Sequence, residues 1–336
     1  MTPSAPPPPA AMMGLITGYW RSQALTVAAR LGLADHLAAG AQTADELAKA
    51  AGSHGEATFR LMRALTSFGV FERTGPRSFK LNALGETLRS NVPGSMRDMA
   101  IAQGGQGHWL PWGQLIDAVK TGERTTVKTL GAELFDWYQA NPEAGAAFSG
   151  AMSNLSSQVA AEVAEHYRLT DEKVVDIGGA LGLLVQVLLR ANPKATGVLY
   201  ELPQVATRAA QEFRLAGLDA RCEAVGGDFF TSAPAGNLYL IKQVLHDWDD
   251  AQCISILRNC AKAGAPGARV VVIEMVLPED GSHSIAPMMD LNMMVLTPGK
   301  ERTLTDYDRL FAEAGLERKR VTATRSPFTL IEAVKR

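Results

Sequence analysis

The run VVDIGGALGLL, Val174 to Leu184, decides how this 336-residue chain is read. Val174 to Ile177 end a short apolar run, two glycines turn the chain, and Leu183 opens an apolar helix. Three further pieces follow in order: LYELPQV (Leu199 to Val205), GGDFF (Gly226 to Phe230) and LIKQVLHDWDD (Leu240 to Asp250). Each lies at the carboxyl end of a predicted strand. With GVLYE, ARCEAV, LYLIK and ARVVVIEM as strands and helical stretches between them, the alternation predicts an α/β fold with helices on both faces of a mostly parallel sheet. ERKRVTATR and FTLIEAVKR read as a terminal antiparallel pair, and Thr303 to Ala314 as a helix before it.

Upstream of this domain the pattern is different. Residues 1–10, MTPSAPPPPA, carry five prolines, which remove backbone donors and predict an extended tail. From Ala11, Ile16, Trp20, Ala24, Val27 and Leu31 recur at steps of three or four, as one face of an amphipathic helix ending near Gly32. Thr43 and Glu46 fit a capping box, a helix spans about Glu56 to Phe68, and VFER and FKLN flank a TGPRS turn as a small hairpin. Three helices and a hairpin make a mainly helical winged-helix module, here 11–105. The remainder, 106–336, is the α/β domain, with a helical lead-in over 106–170.

Composition narrows the function classes. Hydrophobic residues make up 46% and charged residues 20%, enough for two cored domains. A net charge of -2 gives no general attraction for nucleic acid or anionic membrane. Within 41–90, where a winged helix would meet DNA, seven Lys or Arg face five Asp or Glu, too small an excess to track phosphates. No apolar run is long enough to span a bilayer and the start lacks a secretion signal, so the cytoplasm is the expected location. Cys253, Ile256, Leu257 and Cys260 share one helix face, which assigns these thiols to the core.

At the strand ends the residues describe a nucleoside site. The glycine turn after Asp176 lets a ligand approach the backbone. Glu201, at the end of the second strand, can accept hydrogen bonds from both hydroxyls of a ribose. Asp228 offers an acceptor for an adenine amine, Phe229 an apolar wall with Phe230 beside it, and Lys242 an aliphatic stem. A nicotinamide dinucleotide shares some of this grammar, but the glycines at 178, 179 and 182 miss the spacing that cradles a pyrophosphate, and Ala180 holds the central position.

The order DIGGALG, ELPQV, GGDFF, HDWDD and GKERT resembles the small-molecule O-methyltransferases of the plant caffeate and acetylserotonin type and their bacterial natural-product relatives. The opening LITGYWRSQALTVAARLGLADHL is similar to the phenazine methyltransferases. The resemblance implies a Rossmann-like catalytic domain with a seven-stranded sheet, preceded by a winged-helix domain that mediates a homodimer. It also implies S-adenosylmethionine as donor, S-adenosylhomocysteine as product, and no metal. By resemblance Gly178, Glu201, Asp228, Phe229 and Lys242 match donor-binding positions, His246 the general base, and Glu274 and Glu301 its acidic partners. Ala180 for glycine and Glu201 for aspartate depart from the family pattern.

A carboxylate on one ring nitrogen of His246 would fix the tautomer, leaving the other to take an acceptor proton. Without the resemblance, His246 reads equally as a helix-start residue beside Asp247 and Asp249. Met152, Met289 and Asn292 are the expected substrate contacts, with Met288, Met293, Trp109, Trp112 and Phe148 as further walls or as core. An aromatic or polycyclic acceptor methylated on a hydroxyl follows. Transfer to a phenazine ring nitrogen, which would not need His246, and a donor-binding relative with other chemistry stay open.

Overall fold

The computed structural model describes residues 6–335. By internal contacts the chain divides into two units, Met1–Leu110 with Trp137–Asn154, and Pro111–Asp136 with Leu155–Arg336. The 106–170 segment, expected as a lead-in to the second domain, is therefore shared between them.

The first unit opens with α1 (Pro8–Ile16) and α2 (Gly18–Arg30), followed by α3 (Leu33–Ala38), α4 (Ala44–Ala51) and α5 (Gly55–Ser67). The expected tail over 1–10 is corrected here. Residues 1–5 lie outside the described part, but Pro8 to Ala10 are helical, because proline is tolerated in a first turn whose amides need no partner. One continuous helix was expected where the structure breaks at Thr17, whose hydroxyl caps Met13 O. The apolar face read from the sequence is open in the single chain. Ile16 and Trp20 are 61% and 62% exposed in the single chain, and α2 buries Thr26, Ala28 and Ala29 instead.

The remaining elements of the module match their sequence signals. Thr43 and Glu46 close a reciprocal capping box on α4. Strands β1 (Phe71–Arg73) and β2 (Phe79–Leu81) pair antiparallel. Their Phe71 and Phe79 pack with Leu33, Leu47, Met62 and Leu65 in a core of the winged helix. Short helices follow: α6 (Ala83–Glu86), α7 (Arg97–Gln103), α8 (Gln106–Trp112), α9 (Leu115–Thr121), α10 (Thr126–Leu130), α11 (Leu134–Ala140) and the long α12 (Pro142–His166).

The second unit is a seven-stranded sheet built from β3 (Lys173–Ile177), β4 (Thr196–Glu201), β5 (Cys222–Gly226), β6 (Gly236–Lys242), β7 (Gly264–Glu274), β8 (Leu316–Ala323) and β9 (Thr329–Lys335). Their order is β5-β4-β3-β6-β7-β9-β8, parallel except for the antiparallel pairings of β9. The intervening helices are α13 (Leu183–Ala191), α14 (Pro203–Leu215), α15 (Asp250–Ala263), α16 (Ala286–Leu296) and α17 (Leu304–Glu313). Side chains alternate across the sheet. Val174, Leu240, Val271 and Ile273 join the core with α12, α13 and α14, whereas Val175, Ile241, Val270 and Val272 join the one with α15 and α17. Strands buried on both faces explain the continuous apolar runs in the sequence.

Strand β3 has β4 on one side and β6 on the other, so the chain reverses its direction of winding there. A crevice opens at the carboxyl ends of the strands at such a reversal, which is where open α/β sheets place ligands.

Candidate active site

Gly178 leaves β3 at φ +66°, and a Cβ there would stand 2.9 Å from Val244 Cγ2. Only glycine allows the turn and keeps the end of β3 open. Ala180 follows at φ +53°, a left-handed conformation that costs an alanine about 1 kcal/mol or more. Its amide donates to Glu201 Oε1 at 3.0 Å, while the Leu202 amide donates to Oε2 at 2.8 Å. The carboxylate at the end of β4 thus braces the glycine turn, and burial raises its pKa. The extra methylene of glutamate gives it this reach.

Tyr200, one residue earlier, steadies the next loop, its hydroxyl accepting from the Asp228 amide at 3.1 Å. Asp228 is exposed, and its Oδ1 accepts from the Phe230 amide at 2.8 Å. Phe229 packs edge-on against Phe230 at 4.8 Å, and Phe230 against Trp248, so Phe230 serves as packing for its neighbour. Lys242, at the end of β6, donates to Gln243 Oε1 at 2.6 Å and lies 5.4 Å from the Phe328 ring. Burial pulls its pKa down to about 8. An adenosine ligand fits this donor set: open backbone at a glycine turn, a carboxylate at the neighbouring strand end, and an exposed carboxylate beside an aromatic ring.

A buried cluster of one histidine and two glutamates forms around the loop after β6. His246 sits in a single 3-10 turn (Leu245–Asp247), and the cap of α15 is Asp249 with Gln252. Asp249 thus caps the helix as the helix-start reading had it, whereas His246 lies in the turn ahead of the cap. His246 is buried, and its Nδ1 lies 2.8 Å from Glu301 Oε1 and 3.6 Å from Glu274 Oε2. Glu274 ends β7, and its Oε1 accepts the amides of Val244, Leu245 and His246. That carboxylate holds the backbone of the turn as well as facing its imidazole.

Burial works against charge on His246, but Glu274, Asp247 and Glu301 outweigh it and raise the imidazole to about 10. With Nδ1 bonded to a carboxylate, Nε2 is the nitrogen outside that bond, 3.8 Å from Asp247 Oδ1. His246, Glu274 and Glu301 bring one nitrogen or oxygen each within 4.8 Å of one another. Attraction between an imidazolium and two carboxylates accounts for that closeness.

The expected acceptor residues divide. Asn292, on α16, accepts from Trp112 Nε1 at 2.7 Å and turns its amide toward Met289 Sδ at 3.8 Å. Of the residues left as wall or core, Met293 is core, 5% exposed and bonded through sulfur to Thr297, while Met288 is exposed. Met152, Trp109 and Phe148 belong to the first unit, where Phe148 stacks on Tyr138 at 4.6 Å. Tyr138 meets His108 Nδ1 at 2.9 Å, and burial lowers that imidazole to about 4. Sequence reasoning passed over Asp176, Asp247 and Arg302. Asp176 stood in the opening motif, but nothing in a sequence shows that its carboxylate is fully buried.

Comparison with known proteins identifies the family. Residues 112–317 match the O-methyltransferase domain model and residues 13–91 the O-methyltransferase dimerisation domain model. The phenazine O-methyltransferase PhzM of Lysobacter antibioticus is 38% identical over 96% of this chain and 95% of its own. The phenazine-1-carboxylate N-methyltransferase of Pseudomonas aeruginosa is 30% identical over 92% of each. The crystal structure of human N-acetylserotonin methyltransferase in complex with S-adenosylmethionine superposes with a TM-score of 0.91 at 27% identity, over 100% of this chain and 99% of that one. This chain therefore belongs to the S-adenosylmethionine-dependent small-molecule O-methyltransferases, enzymes of secondary metabolism.

Proposed function

We propose that the protein methylates a hydroxyl oxygen of an aromatic or polycyclic secondary metabolite of phenazine-like size, with His246 as general base. The observation that carries this reading is the 2.8 Å contact between His246 Nδ1 and Glu301, with Nε2 left for an acceptor proton. When bound, S-adenosylmethionine supplies an electrophilic methyl group on a sulfonium. Gly178, Glu201, Asp228, Phe229 and Lys242 are the residues that would hold it. Met152, Met289 and Asn292 are proposed to touch the acceptor. Methyl transfer is in-line displacement, so most of the acceleration comes from positioning, and proton removal from a phenol adds about 10²- to 10⁴-fold.

Glu301 fixes the imidazole's tautomer, and Glu274 stabilises the charge formed when Nε2 takes the proton. No step calls for a metal. The exposed apolar residues of α1 and α2, together with the dimerisation-domain match, support a homodimer through the first unit. Among the described residues no helix is long and apolar enough to cross a membrane.

The test is His246→Ala assayed on a phenol panel with labelled donor, in chelator. Turnover should fall at least 100-fold with adenosylhomocysteine affinity unchanged, and chelator should leave the wild type unaffected. For the wild type, kcat should rise with pH above 7, since a base with a raised pKa acts only after losing its proton. Near wild-type turnover in His246→Ala would favour the second reading, transfer to a ring nitrogen, which the Pseudomonas relative's N-methyltransferase name brings forward.

A further inference from the structure

Arg302 is fully buried, the largest such side chain among the described residues, and the chemistry above leaves it without a task. Its guanidinium spans the turn that carries His246. Nη1 donates to Leu245 O and Nη2 to Trp248 O, both at 2.9 Å, so the carbonyls on either side of His246 are held by one planar group. The far edge closes on Asp250 Oδ1, with Nε at 3.1 Å and Nη2 at 2.8 Å, at the first residue of α15. Nη1 also reaches Lys300 O at 3.3 Å, within the segment that carries Glu301.

The backbone of Arg302 completes the set. Its carbonyl accepts from the Leu277 amide at 3.0 Å, and Arg302 bridges in parallel to Val276, just beyond the β7 end that carries Glu274. One residue thus ties together three segments, each bearing one member of the acid–base cluster. Gly299 shows how closely they fit, since a Cβ there would stand 2.0 Å from His246 O. A rigid five-donor fork matches two carbonyls and a carboxylate at once, and a lysine ammonium, a point charge on a flexible stem, does not.

We propose that Arg302 is a positioning residue of the methyl-transfer site, whose guanidinium and backbone set the spacing of His246 from Glu301 and Glu274. This rests on the general-base reading of His246. Loosening the clamp lets the carboxylates recede, so the imidazole midpoint falls, which by itself frees more base near neutral pH, and it is the poorer aim of Nε2 at the acceptor that lowers kcat.

The experiment compares full-length wild type, Arg302→Lys and His246→Ala. It measures thermal unfolding, adenosylhomocysteine affinity by calorimetry, kcat and KM on a phenolic acceptor, and the His246 titration by imidazole nitrogen NMR of the ligand-free protein. Arg302→Lys should lower kcat about 10- to 100-fold, keep KM and adenosylhomocysteine affinity within about 3-fold, and move the His246 midpoint down by at least about one pH unit. A wild-type kcat and midpoint in Arg302→Lys overturn the proposal, as does a kcat loss matched by an equal loss of adenosylhomocysteine affinity.

If Arg302→Lys fails to fold, Asp250→Ala frees only the partly exposed end of the fork. It should shift kcat and midpoint in the same direction by a smaller amount, and an unchanged midpoint overturns the proposal. The two failures are distinct. Undiminished turnover in His246→Ala removes the general base, whereas its loss beside an unaltered Arg302→Lys removes only the positioning role.

Discussion

Two carboxylates on neighbouring strands show how burial assigns different work to similar groups. Glu201 is satisfied by two amides, one from the glycine turn, so its removal should weaken the donor pocket without unfolding the sheet. Glu201→Ala is expected to lower adenosylhomocysteine affinity at least tenfold by calorimetry, with a stability change near 1 kcal/mol. Asp176, at 0% exposure, is held by burial at a pKa of about 7 instead of 3.8, a rise that a bond from the Val185 backbone only partly offsets. A carboxyl raised in the folded state costs nothing below pH 4 and destabilises progressively as pH rises to 7. Asp176→Asn removes that penalty. Denaturant unfolding at pH 4.5 and pH 8 should show the variant gaining on the wild type at the higher pH, and an equal difference at both would refute the assignment.

At the scale of elements, α15 illustrates a helix whose sequence and environment agree. Asp249 and Gln252 close its first turn, and Cys253, Ile256, Leu257 and Cys260 form the stripe that packs on the sheet beside α17. Leu257→Ala leaves a cavity in a core that cannot collapse freely, so it should cost about 2 to 5 kcal/mol in chemical denaturation. The helix also begins four residues after His246, and its anchorage sets where the 3-10 turn lies. Partial loss of activity should therefore accompany the loss of stability. At the far edge of the sheet, β8 carries Glu317, Arg318, Lys319 and Arg320, charges that discourage another strand from pairing there.

For the whole molecule, the apolar face of α1 and α2 is the feature with no role in a single chain. Leu15 is 77% exposed, and Met12, Met13, Ile16, Tyr19 and Trp20 are also open to water. A monomeric soluble protein rarely leaves such a contiguous patch uncovered. Ile16→Glu combined with Trp20→Glu should convert dimer to monomer in sedimentation velocity while the winged-helix core, built from other residues, stays folded. A dimer that persists would move the interface elsewhere.

The sequence by itself determined the order and type of the elements in the α/β domain. Strands buried on both faces must be continuously apolar, as in β6 and β7, and glycines must stand where a ligand or a positive φ excludes a side chain. Glu201, Asp228 and Lys242 stood out as polar residues at predicted strand ends, whereas His246 read equally as a helix-start residue until the family resemblance was drawn. Tertiary structure alone decided which apolar stripe is core. The spacing of Ile16, Trp20 and Val27 is that of a buried face, and periodicity does not distinguish burial within a chain from an open face. It alone made Met293 core, buried the Asp176 carboxylate and turned Arg302 into a hub. His246 and Glu301 meet at 2.8 Å across 55 residues of chain, a distance set by packing of the intervening strand and helix and carried by no local signal.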